Sequence, residues 1–352
     1  MSGKISQRLL RKVHQLTALG DGIGLKLDGE TIRLSLAQED VNIQEELSTF
    51  LAGYKPFEFV ADLISPPFLV DKTSDKFRIF SEDDAFEEAE VEASPRGRVR
   101  TIDPRSTLSE YRTTDRALGT FVTAAVAAES TFDVKARGVK RVMTVLDMNR
   151  EVRIFTPLTT SGNWAAANRL TPANNWDDLI DGDPIADLTQ LLEASSQPVT
   201  HILMNDIATH RFMAHPKVRD HIRFLVGDAG LQATLQQVSM GGGAKRFAVP
   251  GLEATIQMCP ARRQVSGAQQ RILGNYVVGI RAPFDGVPTD AEEIKTIQTF
   301  RKKGAAGTGF ITREYFVDDV GLEGGTMVVA GHAEDVKMLT NSCGFLLTSP
   351  YT

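Results

Sequence analysis

Residues 59 to 116 constrain the fold more than any other stretch of the chain, because they separate charge by sign. The stretch opens with FVADLISPPFLVDKTSDKF and continues through an acidic run and then an arginine run. These are Glu82, Asp83, Asp84, Glu87, Glu88, Glu90 and Glu92, followed by Arg96, Arg98, Arg100, Arg105, Arg112 and Arg116. Such a segment has little apolar surface to bury within one chain. We therefore expect a hairpin-like excursion with oppositely charged limbs.

Two arrangements satisfy these charges. In the first, the acidic limb of one molecule meets the basic limb of a neighbouring copy and sets their register. The predicted contact residues are then Glu87, Glu88 and Glu90 on one side and Arg96, Arg98 and Arg100 on the other. In the second, the limbs neutralise each other within one solvated loop. The sequence alone leaves both open.

The composition is that of a soluble globular protein, with 352 residues, 42% hydrophobic and 24% charged, enough for one large or two modest domains. A net charge of −6 argues against a broad basic surface that coats nucleic acid. The N-terminal MSGKISQRLLRKVHQL lacks the apolar run of a signal peptide, and no segment has the apolar length of a membrane span. We expect a protein that is neither exported by that route nor embedded in a membrane.

No set of residues with recognisable chemistry stands out. His210, His215 and His221 are spaced by five and six residues, which does not place their rings on one helical face. The glycine-rich stretches at 20–24, 241–246 and 304–309 lack the phosphate-loop and dinucleotide patterns. Cys259 and Cys343 are far apart, which favours buried, reduced thiols. The sequence predicts no enzyme, no cofactor and no metal site.

Periodicity predicts the main elements. Helical spacing predicts a short amphipathic helix near residues 5–16, and alternation around Asp28-Gly29 predicts a hairpin. The best long helix runs from Asp133 to Phe155 and is expected to end at Pro157. Further helices are predicted at 183–194, 218–225 and 231–238, with Asn205 or Asp206 capping a helix that begins near them. Strands are predicted at 77–80, 199–205, 252–258, 276–280, 296–300, 311–317 and 326–330.

Several collinear motifs resemble tailed-bacteriophage major capsid proteins of the Hong Kong 97-type fold. The first is Phe59-Val60-Ala61-Asp62 with Pro66, Val70 and the following Lys72 to Phe77. The others are the long helix, Leu170 with Trp176 to Ile185, the pair His215-Pro216, and Asp335-Val336-Lys337 with Gly344-Phe345-Leu346-Leu347. The resemblance covers about residues 46 to 352.

The resemblance implies an α+β fold with an N-terminal arm, an extended loop, a peripheral domain built on the long helix, and an axial domain. The implied boundaries are 1–45 for the arm, 46–70 for a lead-in strand region and 71–116 for the extended loop. The peripheral domain would take 117–170 and 292–352, and the axial domain 171–291. The Gly344 to Leu347 motif is expected among the closing strands of the peripheral domain.

The resemblance also implies partners and a location. Copies would form pentamers and hexamers of an icosahedral shell that encloses double-stranded DNA without sequence-specific binding, in the virion, after assembly in the host cytoplasm. Scaffolding, portal and decoration proteins are implied as further partners. Because no long charged segment follows the first Met, the resemblance implies either a separate scaffolding protein or help from the N-terminal arm. Some members link subunits through a lysine in the extended loop. No lysine occurs between Lys76 and Lys135, so we expect no such crosslink.

Two other functions remain as alternatives. An encapsulin-like compartment with the same fold would enclose cargo enzymes and would carry a cargo-peptide groove on its inner face. A soluble α/β enzyme would use the histidines and glycine-rich turns, and would need a convergent polar pocket in a monomer or small oligomer.

Overall fold

The structure is a computed structural model that describes most of the chain from residue 59 onward. The described residues are 24–27, 30–33, 42–43, 59–80, 105–130, 134–239, 245–283, 294–304, 309–318 and 324–352. The predicted helix near residues 5–16 lies outside them. The helices are α1 (Ala61–Ile64), α2 (Ala124–Glu129), α3 (Val134–Thr159), α4 (Pro184–Ala194), α5 (Asp206–Ala214) and α6 (Pro216–Ser239).

The strands form two six-stranded sheets and three two-stranded ones. Those before the long helix are β1 (Gly24–Leu27), β2 (Glu30–Arg33), β3 (Asn42–Ile43), β4 (Pro67–Val70), β5 (Ser74–Phe80), β6 (Ser106–Arg112) and β7 (Thr114–Thr123). Those up to residue 271 are β8 (Arg169–Leu170), β9 (His201–Met204), β10 (Lys245–Ala248), β11 (Thr255–Met258), β12 (Arg262–Val265) and β13 (Ala268–Arg271). The last are β14 (Tyr276–Ile280), β15 (Ile297–Lys302), β16 (Ile311–Val317), β17 (Gly325–Met338) and β18 (Gly344–Thr348).

The first sheet is organised around β17, its longest strand. Its order is β3-β16-β17-β15-β4, and β7 also pairs with β17, from Thr123 opposite Gly325 to Thr114 opposite Glu334. Helix α3 packs across β7 and β17. Its residues Val139, Val142, Met143 and Leu146 form a buried cluster with Val328 and Ala330 of β17. The predicted long helix therefore supports this sheet.

The long helix passes through the proline that was expected to end it. Helix α3 continues to Thr159 with Pro157 inside it, so that boundary was wrong. Proline removes one backbone donor, and so near the end of a helix it costs a single hydrogen bond. The hydroxyls of Thr156, Thr159 and Thr160 donate to carbonyls in the preceding turn and help to hold this end together.

The second sheet has the order β10-β11-β9-β14-β18-β8. Its central strand β9 is parallel to β11 and antiparallel to β14. Helices α4, α5 and α6 cover it, and the largest buried cluster lies between them and the sheet, with Trp176, Leu188, Phe212 and Ile222 among its members. The side chains of Asp183 and Asn205 cap α4 and α5, so Asn205 is the cap of the two candidates.

Some predicted elements differ in extent or place. The two helices predicted at 218–225 and 231–238 are both present within α6 and are longer than predicted, and Gly227, whose non-helical backbone has a φ of 72°, separates them. The strand predicted at 326–330 is the 14-residue β17. Strand β18 lies in the second sheet, between β14 and β8, although its motif was grouped with the closing strands around the long helix. Residues 344 to 347 are all buried, as in a strand packed on both faces.

Other predictions are confirmed. The hairpin around Asp28-Gly29 is present as β1 and β2, with Leu27 opposite Glu30. Strands β14 and β16 span the predicted residues. In the part of the chain that the structure describes, no helix combines the length and hydropathy needed to cross a bilayer.

Candidate assembly site: the ribbon, its root and the exposed apolar residues

An exposed ribbon leaves the first sheet within residues 59 to 116, the segment that separates charge by sign. Strands β5 and β6 pair antiparallel from Ser74 opposite Arg112 to Phe80 opposite Ser106, and form a two-stranded sheet of their own. Most of their side chains are exposed or half-buried, and Leu108 is 63% exposed. Thr114, two residues after the end of β6, already pairs with β17, so the chain returns to the first sheet at this point. A two-stranded ribbon of this kind is marginal alone and needs further contacts.

An aromatic cluster anchors the root of the ribbon. Tyr111 of β6 stacks on Phe300 of β15 with ring centroids 4.7 Å apart, and Phe77 of β5 lies at the same distance from Phe300. Phe68 of β4 meets Phe300 edge to face at 6.3 Å. Aromatic pairs in these geometries add stability beyond area burial. The root is thus packed, while the ribbon beyond it is exposed.

Polar contacts set the direction in which the ribbon leaves the sheet. The backbone N–H and the hydroxyl of Thr113 both donate to the carbonyl of Thr73, at 2.8 and 3.0 Å. The backbone N–H of Arg112 donates to Oδ2 of Asp335 at 2.9 Å. The bonds between Thr113 and Thr73 close the base of the ribbon, and the bond from Arg112 joins β6 to β17, so the ribbon has a defined starting direction.

A buried group of charges, which we call the charge cluster, lies between α3 and the first sheet near this root. Glu334 of β17 is at its centre, and Arg150, Arg153, Arg301 and His332 surround it. Nη2 of Arg301 is 3.0 Å from Oε2 of Glu334, and Arg150 also pairs with Asp62 of α1. The cluster therefore connects α1, α3, β15 and β17.

Burial and charge together set the ionisation of this cluster. Burial would raise the pKa of Glu334, but the hydrogen bond with His332 and the charges of Arg150 and Arg301 hold it well below the ordinary value. Burial lowers the pKa of His332, so this side chain is neutral at pH 7. The arginines thus provide the counter-charge for a permanently ionised Glu334.

A second buried carboxylate, that of Glu151, binds the backbone at the start of α1. Oε2 of Glu151 accepts hydrogen bonds from the backbone N–H groups of Val60 and Ala61, at 3.1 and 2.8 Å. Nη2 of Arg150 donates to the carbonyl of Ser65 at 2.9 Å. Burial raises the pKa of Glu151 to about 7 in spite of the backbone bonds, and burial likewise raises that of Asp147 to about 7. Helix α3 therefore holds α1 by both of its ends.

The six predicted contact residues lie outside the described part of the chain. Glu87, Glu88, Glu90, Arg96, Arg98 and Arg100 fall within 81–104, so their pairing stays a prediction. At the root, Lys72 donates to Asp75 at 2.8 Å. The prediction of no lysine-based crosslink also stays untested.

The three histidines differ in exposure, with His210 exposed, His221 half-buried and His215 buried. His215 is fully buried, with Nε2 3.1 Å from the carbonyl of Asp178 and Nδ1 3.3 Å from the backbone nitrogen of Lys217. It fastens the loop before α4 to the junction of α5 and α6, which gives the His-Pro pair a structural role. Across the described residues, no three His, Cys, Asp or Glu side chains are grouped to hold a metal ion. Cys259 and Cys343 are buried, reduced thiols.

The sequence analysis missed the apolar side chains that the fold leaves in solvent. The most exposed are Phe224, Ile180, Leu108, Phe316 and Leu179. Apolar periodicity identifies helices but does not reveal which apolar residues stay outside, because exposure depends on the packed neighbours. Scattered exposed residues are ordinary on any protein surface, whereas several together mark an interaction site.

A cleft of about 700 Å³ separates the ribbon from the end of β17 and the last turn of α3. Ile79, Phe80, Pro157 and Met338 line it together with polar residues, and Lys337 is the one ionisable side chain among its described lining. General acid–base or nucleophilic catalysis needs paired reactive groups. No such pair lies in the described lining of this cleft.

No protein-family model matches the chain, and no curated protein sequence matches it. Solved structures do match. A phage-related protein from Bordetella bronchiseptica RB50 is 16% identical with a TM-score of 0.64, covering 88% of this chain and 97% of that chain. A protein of a prophage in E. coli CFT073, described as a capsid protein, is 11% identical with a TM-score of 0.53, covering 88% and 99%.

These similarities extend over almost the whole of both chains, and at such identities they concern the fold. The chain therefore shares its α+β fold with these two proteins, one of which is described as a capsid protein of a prophage. An encapsulin complex from Synechococcus elongatus PCC 7942 is similar at 12% identity and a TM-score of 0.43, covering 90% of this chain and 96% of that chain. That score is too low to favour a compartment over a phage shell.

Proposed function

We propose that this chain is the major capsid protein of a tailed phage. Its copies form the pentamers and hexamers of an icosahedral shell around double-stranded DNA. The fold match carries this proposal, because the chain covers 97% and 99% of the two similar proteins and has their fold. The exposed ribbon on a packed root supports it.

The proposal extends to the partners and the location. The shell would be part of the virion, assembled in the host cytoplasm with separate scaffolding, portal and decoration proteins. A chain with a net charge of −6 can enclose DNA without binding it tightly. Many modest contacts between identical subunits then sum to a stable shell.

The first test is negative-stain electron microscopy combined with sedimentation of the chain expressed alone, over a range of salt concentrations. Closed shells, or free pentamers and hexamers, are expected. The contents distinguish the alternatives, because a phage shell produced during infection would hold DNA and a compartment would hold a protein cargo. A stable monomer at every salt concentration, with a substrate turned over, would contradict the proposal.

A mixing experiment tests the predicted limbs. One variant carries Glu87→Lys, Glu88→Lys and Glu90→Lys, and the other carries Arg96→Glu, Arg98→Glu and Arg100→Glu. In each variant alone the six predicted contact residues all have one sign, so its particle yield should fall. When the variants are mixed, oppositely charged limbs meet between molecules and the yield should recover.

Recovery on mixing separates contacts between molecules from neutralisation within one loop, because mixing cannot restore the second. The matched control carries all six reversals in one chain, which restores both arrangements. An unchanged yield for each variant alone would contradict the predicted contact.

A further inference from the structure

Another cleft lies beside the charge cluster, between strands β7 and β17 and the end of α3. It has a volume of about 450 Å³, and its lining includes Arg116 of β7, Arg153 of α3, and Thr160 and Asn163, which follow α3 in the chain. We call it the Arg116 cleft. A cleft of this volume has room for a small ligand, and the charges around it indicate which kind.

Arg116 is a half-buried cation without a counter-ion. It lies opposite His332 in the register of β7 and β17. Within the described ranges of the chain its guanidinium has no ion pair, and its Nε is buried without a hydrogen-bond partner. Burial of a polar group without a partner costs free energy. An anion bound in the cleft would supply the missing acceptor.

The groups around the cleft carry an excess of positive charge. The three arginines of the charge cluster share the carboxylate of Glu334, and Asp62 adds one more carboxylate beside Arg150. Arg116 adds a fourth guanidinium and no carboxylate of its own. The excess therefore arises at the cleft, where Arg116 meets the charge cluster.

Three other carboxylates of this region do not remove the excess. Asp335 also lines the cleft, but it accepts a hydrogen bond from the backbone N–H of Arg112 at 2.9 Å and pairs with Nζ of Lys337 at 3.5 Å. Burial raises the pKa values of Asp147 and Glu151 to about 7, so each carries only part of a negative charge at neutral pH.

Arg153 brings a second guanidinium to the same cleft. Its Nη2 donates to Glu334, whereas its Nε is buried without a partner among the described residues. Burial lowers the pKa of Arg153, the charge of Glu334 raises it, and the positive charge of Arg116 lowers it further. Arg116 and Arg153 are thus close enough to repel each other, and an anion between them would relieve this repulsion.

The chemistry of two guanidinium groups favours phosphate. Arginine binds phosphate through paired N–H donors that match the spacing of its oxygens. A phosphate that is free or esterified once carries nearly two negative charges at pH 7 and at least three acceptor oxygens. A carboxylate has one charge and two oxygens, and so would leave part of the cleft uncompensated.

We propose that the Arg116 cleft binds a phosphate dianion between the guanidinium groups of Arg116 and Arg153. The phosphate is either the free inorganic ion or the terminal group of a larger molecule. Once bound, it joins β7 to α3 beside the root of the ribbon, in a free subunit as well as in a shell. The site is therefore separate from the proposed shell function.

Thermal unfolding of the full-length chain tests this site. The midpoint is measured over a range of inorganic phosphate concentrations, with NaCl adjusted to keep the ionic strength constant, because general screening also changes with salt. A ligand that binds only the folded chain raises the midpoint by mass action. A saturable rise with phosphate is expected. A parallel series with a nucleoside monophosphate distinguishes the two sources.

Arg116→Gln removes the unpaired guanidinium. The apparent dissociation constant for phosphate should increase about tenfold or more, because a charged pair of donors is lost. Without phosphate the midpoint should not fall, since no described contact of the Arg116 side chain is removed. The matched control is Arg78→Gln, which removes an exposed arginine of the ribbon and should bind phosphate as the wild-type chain does.

Arg116→Lys keeps the positive charge but not the paired donors, and it provides the comparison if Arg116→Gln does not fold. It should also bind phosphate more weakly than the wild-type chain. Stabilisation by both phosphates would support recognition of a terminal group, and stabilisation by inorganic phosphate alone would support a site for the free ion. Equal stabilisation of the wild-type and Arg116 variant chains would overturn the proposal, as would a wild-type midpoint that neither phosphate raises.

Discussion

The two sheet regions are held together by different kinds of contact. Between the second sheet and α4 to α6, the buried cluster is apolar, with Trp176 and Phe212 packed at a ring-centroid distance of 5.7 Å. Between the first sheet and α3, a short apolar cluster is followed by the charge cluster around Glu334. The apolar region is held by the close packing of apolar side chains, whereas the charged region depends on the pairing of particular charged side chains.

The two kinds of contact contribute differently to stability and to geometry. Apolar burial is non-directional and supplies most of the free energy of folding. Buried ion pairs add little net stability, but they are costly to break and they have defined geometry. In this chain they connect α1, α3, β15 and β17 beside the root of the ribbon, where the direction of an exposed segment is determined.

The largest effect is expected in the apolar region. Phe212→Ala removes a fully buried ring that contacts Trp176, and should lower the free energy of unfolding by about 3–5 kcal/mol, measured by denaturant titration. The matched control is Phe224→Ala, which removes the same group from an exposed site. It should change the free energy of unfolding by less than about 0.5 kcal/mol. Equal effects of the two variants would contradict the description of the core.

Breaking the charge cluster comes next. Glu334→Gln leaves Arg150, Arg153 and Arg301 without their common carboxylate. Because buried charges lose their partner, the free energy of unfolding, measured by denaturant titration, should fall by about 3 kcal/mol. Asp335→Asn, one residue along and partly exposed, is the control and should cost about 1 kcal/mol or less. If Glu334→Gln unfolds no more readily than Asp335→Asn, the cluster does not hold the region together.

The pH dependence should reveal the two carboxylates of α3 that carry raised pKa values. Asp147 and Glu151 have pKa values of about 7 in the folded chain, above those of an unfolded chain. Between about pH 4 and 7 the folded state binds more protons, so stability falls as the pH rises through this window. Glu334 does not oppose this trend above pH 5, because it is ionised in both states. His332 does oppose it, because burial lowers its pKa and the unfolded state then binds the extra proton.

Asp147→Asn removes one of these groups and should flatten the decline. From pH 5 to pH 8, Asp147 and Glu151 should lower the free energy of unfolding of the wild-type chain, measured by denaturant titration. The free energy of unfolding of the variant should fall by about 1–2 kcal/mol less than that of the wild-type chain. Asp178→Asn is a suitable control, because backbone hydrogen bonds lower the pKa of this exposed carboxylate. An Asp147→Asn variant whose stability falls with pH as steeply as that of the wild-type chain would contradict the raised pKa of Asp147.

The smallest effect is expected at a surface ion pair of the second region. Asp206, at the start of α5, pairs with Arg262 and Arg271 at the base of the hairpin formed by β12 and β13. Asp206→Ala should cost about 1 kcal/mol or less, since such partly exposed pairs contribute little. A loss as large as that of Glu334→Gln would remove the contrast between the two regions.

Local patterns predicted the elements whose signals are contained in a few residues. Helices α3 and α4 follow from apolar spacing, the cap of α5 follows from Asn205, and strands β14 and β16 follow from β-branched and aromatic runs. The fold class also followed from the resemblance, and it is confirmed by the similar structures. These predictions succeeded because the relevant energies are local.

The sequence by itself therefore determined the order and type of most elements, the charge separation of the extended segment and the fold class. The tertiary structure decided that Glu334 would gather Arg150, Arg153 and Arg301, that β18 would join the second sheet, and that Phe224 would stay in solvent. These outcomes depend on residues far apart in the chain. No local pattern encodes them, because burial and charge pairing exist only after the distant segments have packed.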